Sequence, residues 1–321
     1  MSYRKKIVAL SCAIAALSAA YVAAIVLDPA RRGERADVYA WLDARNVYRI
    51  SAITIALPGA PPHTVELARV GGRWSVMRDG RVYPARQARV NDFIAELSRR
   101  APYPVRATGG AAHARLSLTL GDAARVTVAS GFGAPLLDLL VGQNDLSGRN
   151  VYMRRMGRSE ARIGEDRFSA YIWANRSSWY NLMLFPENES GLGALPDVMR
   201  ITAFPPDGED GVQTAPKVFT RVGRNWDVSF DVAAVNSLRV DAYVREILLS
   251  AGDAFADAQG VLFDDSRLVL EFGDGSSTAI SFTAPDANGR RLALVSATGL
   301  AYEIAPWLHN RFFPSAESFS L

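Results

Sequence analysis

Cysteine is almost absent: Cys12 is the only one in 321 residues. No intrachain disulfide can form, so the folded part must be held by buried apolar surface rather than by covalent cross-links. Histidine is nearly as scarce. The three present, His63, His113 and His309, have neither mutual spacing nor neighbouring carboxylate or thiol ligands suited to zinc. A surface or capping role is the expectation for each. A basic excess is missing as well. Lys and Arg number 36 against 33 Asp and Glu, and Arg4-Lys5-Lys6 account for the difference, so the remainder is formally neutral. Nucleic-acid binding needs positive charge concentrated on the folded part, and that class is set aside.

Motifs that carry chemistry are also missing. There is no Gly-x-Ser-x-Gly elbow, no Ser-x-x-Lys pair in a plausible context and no phosphate-binding Walker loop. Gly131-Phe132-Gly133 lacks the third glycine and the following helix of a dinucleotide site. Asp207 to Gly211 lacks the alternating ligands and closing glutamate of a calcium loop. Asp264-Asp265 flanks a predicted strand, where solvated turns are commoner than acid–base pairs. No catalytic, cofactor-binding or metal-binding residue is assigned, no cofactor is expected, and the chain is read as a non-enzyme.

What is present begins at the N-terminus. Ile7 to Leu27 carries no charge and ends at Asp28-Pro29. A helix of that length would be roughly 32 Å long, which matches the hydrocarbon thickness of a bilayer. Arg4-Lys5-Lys6 in front favours a cytoplasmic N-terminus. The competing reading is a cleaved signal peptide, with Ser18 and Ala20 as the small residues before Tyr21. The unbroken apolar run favours the uncleaved anchor. Cys12 lies inside it and reads as a buried membrane cysteine, because Ala9-Leu10-Ser11 fits a lipobox poorly. Ala16, Ala20 and Ala24 share one helical face, weak support for helix pairing.

Beyond the anchor the sequence repeats itself. Ala68 to Val76 (ARVGGRWSV) returns 152 positions later as Thr220 to Val228 (TRVGRNWDV). At the same offset, Arg115-Leu116-x-Leu118-x-x-Gly121-Asp122 recurs as Arg267-Leu268-x-Leu270-x-x-Gly273-Asp274. Two echoes in one register predict a structural unit used twice.

Residues 28–48 are charged and predict a juxtamembrane stalk with a short helix over 35–45. In the first unit, Ile50 to Leu57 alternates as a strand does, and Val65 to Val70 with Arg73 to Met77 predicts a hairpin turning at Gly71-Gly72. Ala88 to Ser98 places Val90, Phe93, Ile94 and Leu97 on one helical face, stopped by Pro102 and Pro104. Leu116, Leu118 and Leu120 predict a strand that turns at Gly121-Asp122 and returns through Val126 and Val128. Strands follow at 136–141 and in a hairpin over 151–163. The second unit predicts a strand at 198–204, a hairpin over 218–230, and a helix with Val240, Val244, Ile247 and Leu248 on one face. Asp274-Gly275 marks a further hairpin, and the last strands fall at 292–295 and 301–304. Each unit ends in aromatics, and the boundary is placed at Asn188 to Gly193.

The fold class expected is therefore α+β: two tandem repeats of a curved antiparallel sheet with one amphipathic helix each, after a single N-terminal transmembrane helix. The divisions are 1–27 for the stub and anchor, 28–48 for the stalk, 49–192 for the first repeat and 193–321 for the second. Trp74 and Trp226 occupy equivalent positions, where core packing competes with sugar stacking or partner anchoring. The polar loops 142–150 and 285–291 both carry Gly-Arg (Gly148-Arg149, Gly289-Arg290). They are either ordinary hairpin turns or arginines offered to a partner's carboxylate or phosphate.

Several of these features together resemble the bacterial family catalogued as domain of unknown function 4340. They are Gly72-Arg73-Trp74-Ser75-Val76, Pro84-Ala85 leading to the Val90–Leu97 helix, Leu140-Val141-Gly142, Ser147-Gly148-Arg149, Val151-Tyr152-Met153-Arg154 and the segment around Trp179. The second unit keeps Arg290 but has Leu292-Ala293-Leu294 in place of Tyr152-Met153-Arg154, so the likeness is looser there. The resemblance implies an exported, membrane-anchored bacterial protein of the cell envelope, often encoded beside gliding-type ABC-transporter genes, with no attributed catalytic residues. Its implied role is a non-enzymatic accessory or scaffold subunit of a membrane complex such as that transporter, on the periplasmic or extracytoplasmic side. The alternative is an envelope binding module for a glycan or lipid, which requires an aromatic-lined groove with Trp74 or Trp226 exposed.

Overall fold

The computed structural model describes Ile14, Leu17, Ser18, Tyr21 and residues 38–59, 63–131, 133–189, 195–207 and 214–321. It divides into two compact units, one ending at Trp179 and the other running from Tyr180 to Leu321. The change of unit precedes Asn188–Gly193 because the intervening residues pack into the second unit. Leu184 and Phe185 join its core, and the Leu184 and Gly252 amides donate to the Ser250 and Leu182 carbonyls, each at 2.9 Å.

In the first unit the strands are β1 (Val38–Tyr39), β2 (Ile50–Ala56), β3 (Thr64–Val70), β4 (Arg73–Arg78), β5 (Arg81–Pro84), β6 (Ala101–Pro102), β7 (Val105–Thr108), β8 (Ala124–Ser130), β9 (Pro135–Asn144), β10 (Asn150–Arg155) and β11 (Glu160–Glu165). β1 pairs with β6, and the other nine form one sheet in the order β5-β4-β3-β2-β8-β9-β10-β11-β7. In the second unit β12 (Val198–Phe204), β13 (Lys217–Val222), β14 (Asn225–Val228), β15 (Ala254–Ala256), β16 (Ser266–Phe272), β17 (Ser277–Phe282), β18 (Arg291–Val295) and β19 (Leu300–Ile304) form an eight-stranded sheet. Its order is β14-β13-β12-β16-β17-β18-β19-β15. All pairings described are antiparallel, and the second sheet repeats the first strand for strand apart from β5.

Local chemistry explains the elements that position the rest. Gly71 and Gly72, both at positive φ (57° and 84°), make the tight turn between β3 and β4. The Gln87–Ser98 helix buries Val90, Phe93, Ile94 and Leu97, the four residues of its apolar stripe. The Ser237–Leu248 helix buries Val240, Tyr243, Val244, Ile247 and Leu248. Alternation along β2 puts Ile53 and Ile55 into the core at zero exposure, and β16 does the same with Leu268 and Leu270.

Four expectations are corrected. The α+β class gives way to a mainly β protein, with nineteen strands against five α-helices among the described residues. The strands that the alternation did not show, β1, β5, β6, β7 and β15, are two to four residues long and too short to display a period. The transmembrane helix is not found: among the described residues no helix is long and apolar enough to cross a membrane. Ile14, Leu17, Ser18 and Tyr21 are helical, and the rest of the 7–27 run, Cys12 included, lies outside the described residues. The stalk helix over 35–45 is replaced, from Val38 on, by β1 and a 3-10 helix at Ala44–Arg49. Trp41 and Leu42 between them are buried, with the Leu42 amide on the Leu97 carbonyl at 2.9 Å, so this segment belongs to the first unit's core.

The fourth correction concerns the repeat itself. The hairpin β3–β4 does correspond to β13–β14. The second echo does not correspond to anything. β16 pairs with β12 as β8 pairs with β2, so the counterpart of β16 is Ala124–Ser130 and not 115–122. Leu116 to Leu118 instead follow a short Gly110–Arg115 helix, and Ser117 sits at φ +53°. This helix and the turns after it lie in the β7–β8 connection and lengthen it, which shortens the true offset after the hairpin.

That connection also explains Gly142. A Cβ there would meet the Leu116 carbonyl inside contact distance, with the Ser117 carbonyl at 3.0 Å. Backbone cannot move aside cheaply, and overpacking of this kind costs about 1–3 kcal/mol. Gly142→Ala is therefore expected to lower stability by that amount in chemical denaturation. A change under about 0.5 kcal/mol, the range of an ordinary surface substitution, would show that the packing is not limiting.

Candidate functional site

The ligand-binding alternative depends on the exposure of the two repeat tryptophans. Trp74 is 2% exposed and Trp226 is 4% exposed, so neither presents a stacking face to a ligand. Each is covered by the arginine five positions before it. Arg69 lies 5.6 Å from the Trp74 ring centroid and Arg221 lies 5.5 Å from that of Trp226. Each is also tied to the first residue of the following helix. The Trp74 amide donates to Gln87 Oε1, and Gln87 Nε2 donates to the Trp74 and Ala85 carbonyls, all at 2.8 Å. The Trp226 amide donates to Ser237 Oγ at 3.0 Å, and its indole N–H to Asp241 Oδ1 at 2.8 Å. These are structural junctions.

The Gly-Arg loops prove to be matching turns built on an aspartate. Asp145 Oδ1 accepts from Ser147 Oγ (2.8 Å) and the Asn150 amide (3.2 Å), and Oδ2 accepts from Asn150 Nδ2 (2.9 Å). Hydrogen bonds from Asn150 first, then Ser147, hold this carboxyl down at about 2. Asp286 Oδ1 accepts from the Asn288 and Arg290 amides, both at 2.8 Å. Gly148 and Gly289 supply the positive φ, 70° and 74°. The arginines differ. Arg290 lies 3.5 Å from Glu303 and 3.8 Å from Asp253, whereas Arg149 is exposed and makes no side-chain bond among the described residues.

The histidines do not share a site, and two of them correct the surface reading. His63 is exposed. His113 is buried, its Nε2 at 2.8 Å from the Ser159 carbonyl. His309 is buried against Phe282 and Phe313, with Nε2 at 3.0 Å from Ser266 Oγ. A tertiary partner on a distant strand was not visible in the spacing. Ser and His at hydrogen-bond distance raise the question of nucleophilic catalysis. Both are enclosed, at 4% and 5% exposure, and Asp265 beside them is bound by Arg291. Desolvation, then the nearby Arg291 charge, lower the His309 pKa to about 4. The ring is thus neutral at ordinary pH, locked in a packing role. Asp264 is exposed and solvated. Of the 207–211 and 131–133 segments, residues 208–211 and Phe132 lie outside the described residues. Among the described residues no three His, Cys, Asp or Glu side chains gather as metal ligands would.

A concave site without a local motif lies in the first unit. A cavity of about 530 Å³ is bounded by Tyr39 and Trp41 on one side, and by the start of β9, the β10–β11 turn and the start of β11 on the other. Arg155, Arg158 and Arg162 line it with two carboxylates, Asp138 and Glu160. Asp138 is held bidentately by Arg125 from the neighbouring strand, at 2.9 and 2.7 Å. Glu160 accepts from Arg162 at 2.8 Å. Arg155 donates to the Trp41 carbonyl, and its guanidinium and that of Arg162 lie 5.7 and 5.0 Å from the Tyr39 ring centroid. The residues come from three separate stretches, so no local motif could announce them.

Comparison of the chain with known protein families, curated proteins and solved structures gives no match.

His309 supplies a pH test. Its folded pKa, about 4, lies below the unfolded value near 6.5, so the unfolded chain binds a proton that the native state refuses. The stability from this site is complete above pH 6.5 and is lost as pH falls toward 4, by about 3 kcal/mol at most. The melting temperature of the second unit is expected to fall over that window, and His309→Gln to flatten the dependence. Parallel losses in both proteins would place the titration elsewhere.

Proposed function

We propose that this protein is a non-enzymatic accessory or scaffold module that works in the cell envelope as part of a larger complex. The observation that carries this reading is the fate of its reactive side chains. The Ser266–His309 pair is sealed in a core and bordered by none of the cavities described above, and Asp145 and Asp286 are spent on shaping turns. What each unit offers outward is a broad antiparallel sheet and its loops, a construction suited to contact rather than turnover. The motif resemblance to the family catalogued as domain of unknown function 4340 supports a gliding-type ABC transporter as the complex. Purification of the full chain from solubilised membranes is expected to recover transporter subunits with it. Recovery of this protein alone overturns the transporter assignment.

A second reading, a binding module for an envelope ligand, is favoured by a different feature from the one first expected. The tryptophans of the repeat are buried, and the cavity beside Tyr39 and Trp41 takes their place as the candidate ligand site.

A further inference from the structure

We infer that the cavity between Tyr39 and the β10–β11 turn binds an amphiphilic organic anion, its carboxylate or phosphate group held by Arg155 and Arg158. This rests on the second reading above and names the ligand class for it.

The charge arrangement selects the sign. Both carboxylates of the lining are already neutralised, Asp138 by two parallel bonds from Arg125 and Glu160 by Arg162. Arg155 and Arg158 have no carboxylate partner among the described residues. Arg155 is fixed in place by the Trp41 carbonyl and the Tyr39 ring, and its Nε is buried with no hydrogen-bond partner. A guanidinium already immobilised loses little further freedom when it captures an oxyanion. Arg158 extends from the turn as an exposed side chain that makes no side-chain bond among the described residues and can close on a bound group. Neighbouring Arg154 shares the unpartnered Nε but has both terminal nitrogens satisfied, at 3.0 Å, by the Arg158 and Leu118 carbonyls, whereas Arg155 has one terminal nitrogen on the Trp41 carbonyl.

The second unit shows that the fold does not require these charges. β18 and β19 stand in the same place in their sheet as β10 and β11, and both turns carry a glycine at positive φ, Gly157 and Gly299. The second turn reads Ser296-Ala297-Thr298-Gly299, with no arginine. A four-residue turn at this place in the sheet is therefore built without a cation, so the exposed Arg158 is not required to connect the two strands.

The remaining walls set the rest of the ligand. Tyr39, Leu136 and Met156 give the cavity an apolar side backed by the buried Trp41, and a volume of about 530 Å³ is within the range of small-molecule sites. An apolar body of moderate length ending in an oxyanion fits both halves.

The test uses the full chain at low salt, with hexanoate, hexyl phosphate, hexanol and hexylamine as probes in isothermal titration calorimetry. At least one anion is expected to bind about ten-fold more tightly than hexanol, the size of one charge-assisted hydrogen bond. The tighter of the two anions identifies the headgroup, and hexylamine is expected not to bind. Arg158→Gln, which removes no bond within the unit, is expected to weaken the anion about five-fold or more on the same grounds, while Arg149→Gln outside the cavity changes nothing. If hexanol matches the anions, or Arg158→Gln leaves their affinity intact, the anion assignment is overturned while the binding-module reading stands. If none of the four probes binds at millimolar concentration, both fall together.

Discussion

Each unit depends on one junction, where the main chain of a hairpin tryptophan is fastened to the first residue of the amphipathic helix. The hairpin lies at or beside the edge of its sheet, and the helix must leave it at the right angle to lay its apolar stripe on the sheet face. In the first unit the Gln87 amide grips Trp74 through both its N–H and its carbonyl. In the second, Ser237 and Asp241 divide the work between the backbone and the indole of Trp226. A stacked arginine closes the outer side in each case. Buried donors and acceptors are costly when left unmade, so this arrangement fixes the geometry as well as stabilising it. It also leaves both tryptophans almost wholly buried.

From that shared frame the two units have diverged where the frame is indifferent. The aspartate-centred turns are equivalent, yet Arg290 contacts Asp253 and Glu303 while Arg149 makes no side-chain bond among the described residues. The end of β10 and its turn carry Arg155 and Arg158, where the end of β18 and its turn carry no arginine. Function in repeated folds resides in such grafted differences rather than in the architecture. The first unit carries a hollow lined by three arginines and an exposed arginine at the tip of a turn. The second buries the Ser266–His309 pair in its core.

Parts of this were legible because they are local. Helical spacing named the four buried residues of the Gln87–Ser98 helix, and Gly71-Gly72 and Asp274-Gly275 marked their hairpins through turn chemistry alone. The balance of classes was not legible, since strands as short as β6 and β15 carry no period. The echo at 115–122 misled for a physical reason: alternating leucines suit a strand, but the short Gly110–Arg115 helix and the crowding over Gly142 hold them in a connection instead. Trp41 and Leu42, placed in a solvated stalk by their charged neighbours, are drawn into the core by a contact with Leu97 that lies more than fifty residues on.

By itself the sequence determined the repetition of the Trp hairpin, the two helix faces, the turn glycines and the lack of an intrachain disulfide. Each depends on residues within one element or one turn, where propensity and spacing act directly. Only the tertiary structure decided which strands are neighbours, which histidines are enclosed, and that Tyr39, Trp41 and the arginines of a distant turn share one cavity. Those outcomes depend on strand order and on partners far apart in the chain, and no pattern of adjacent residues encodes them legibly.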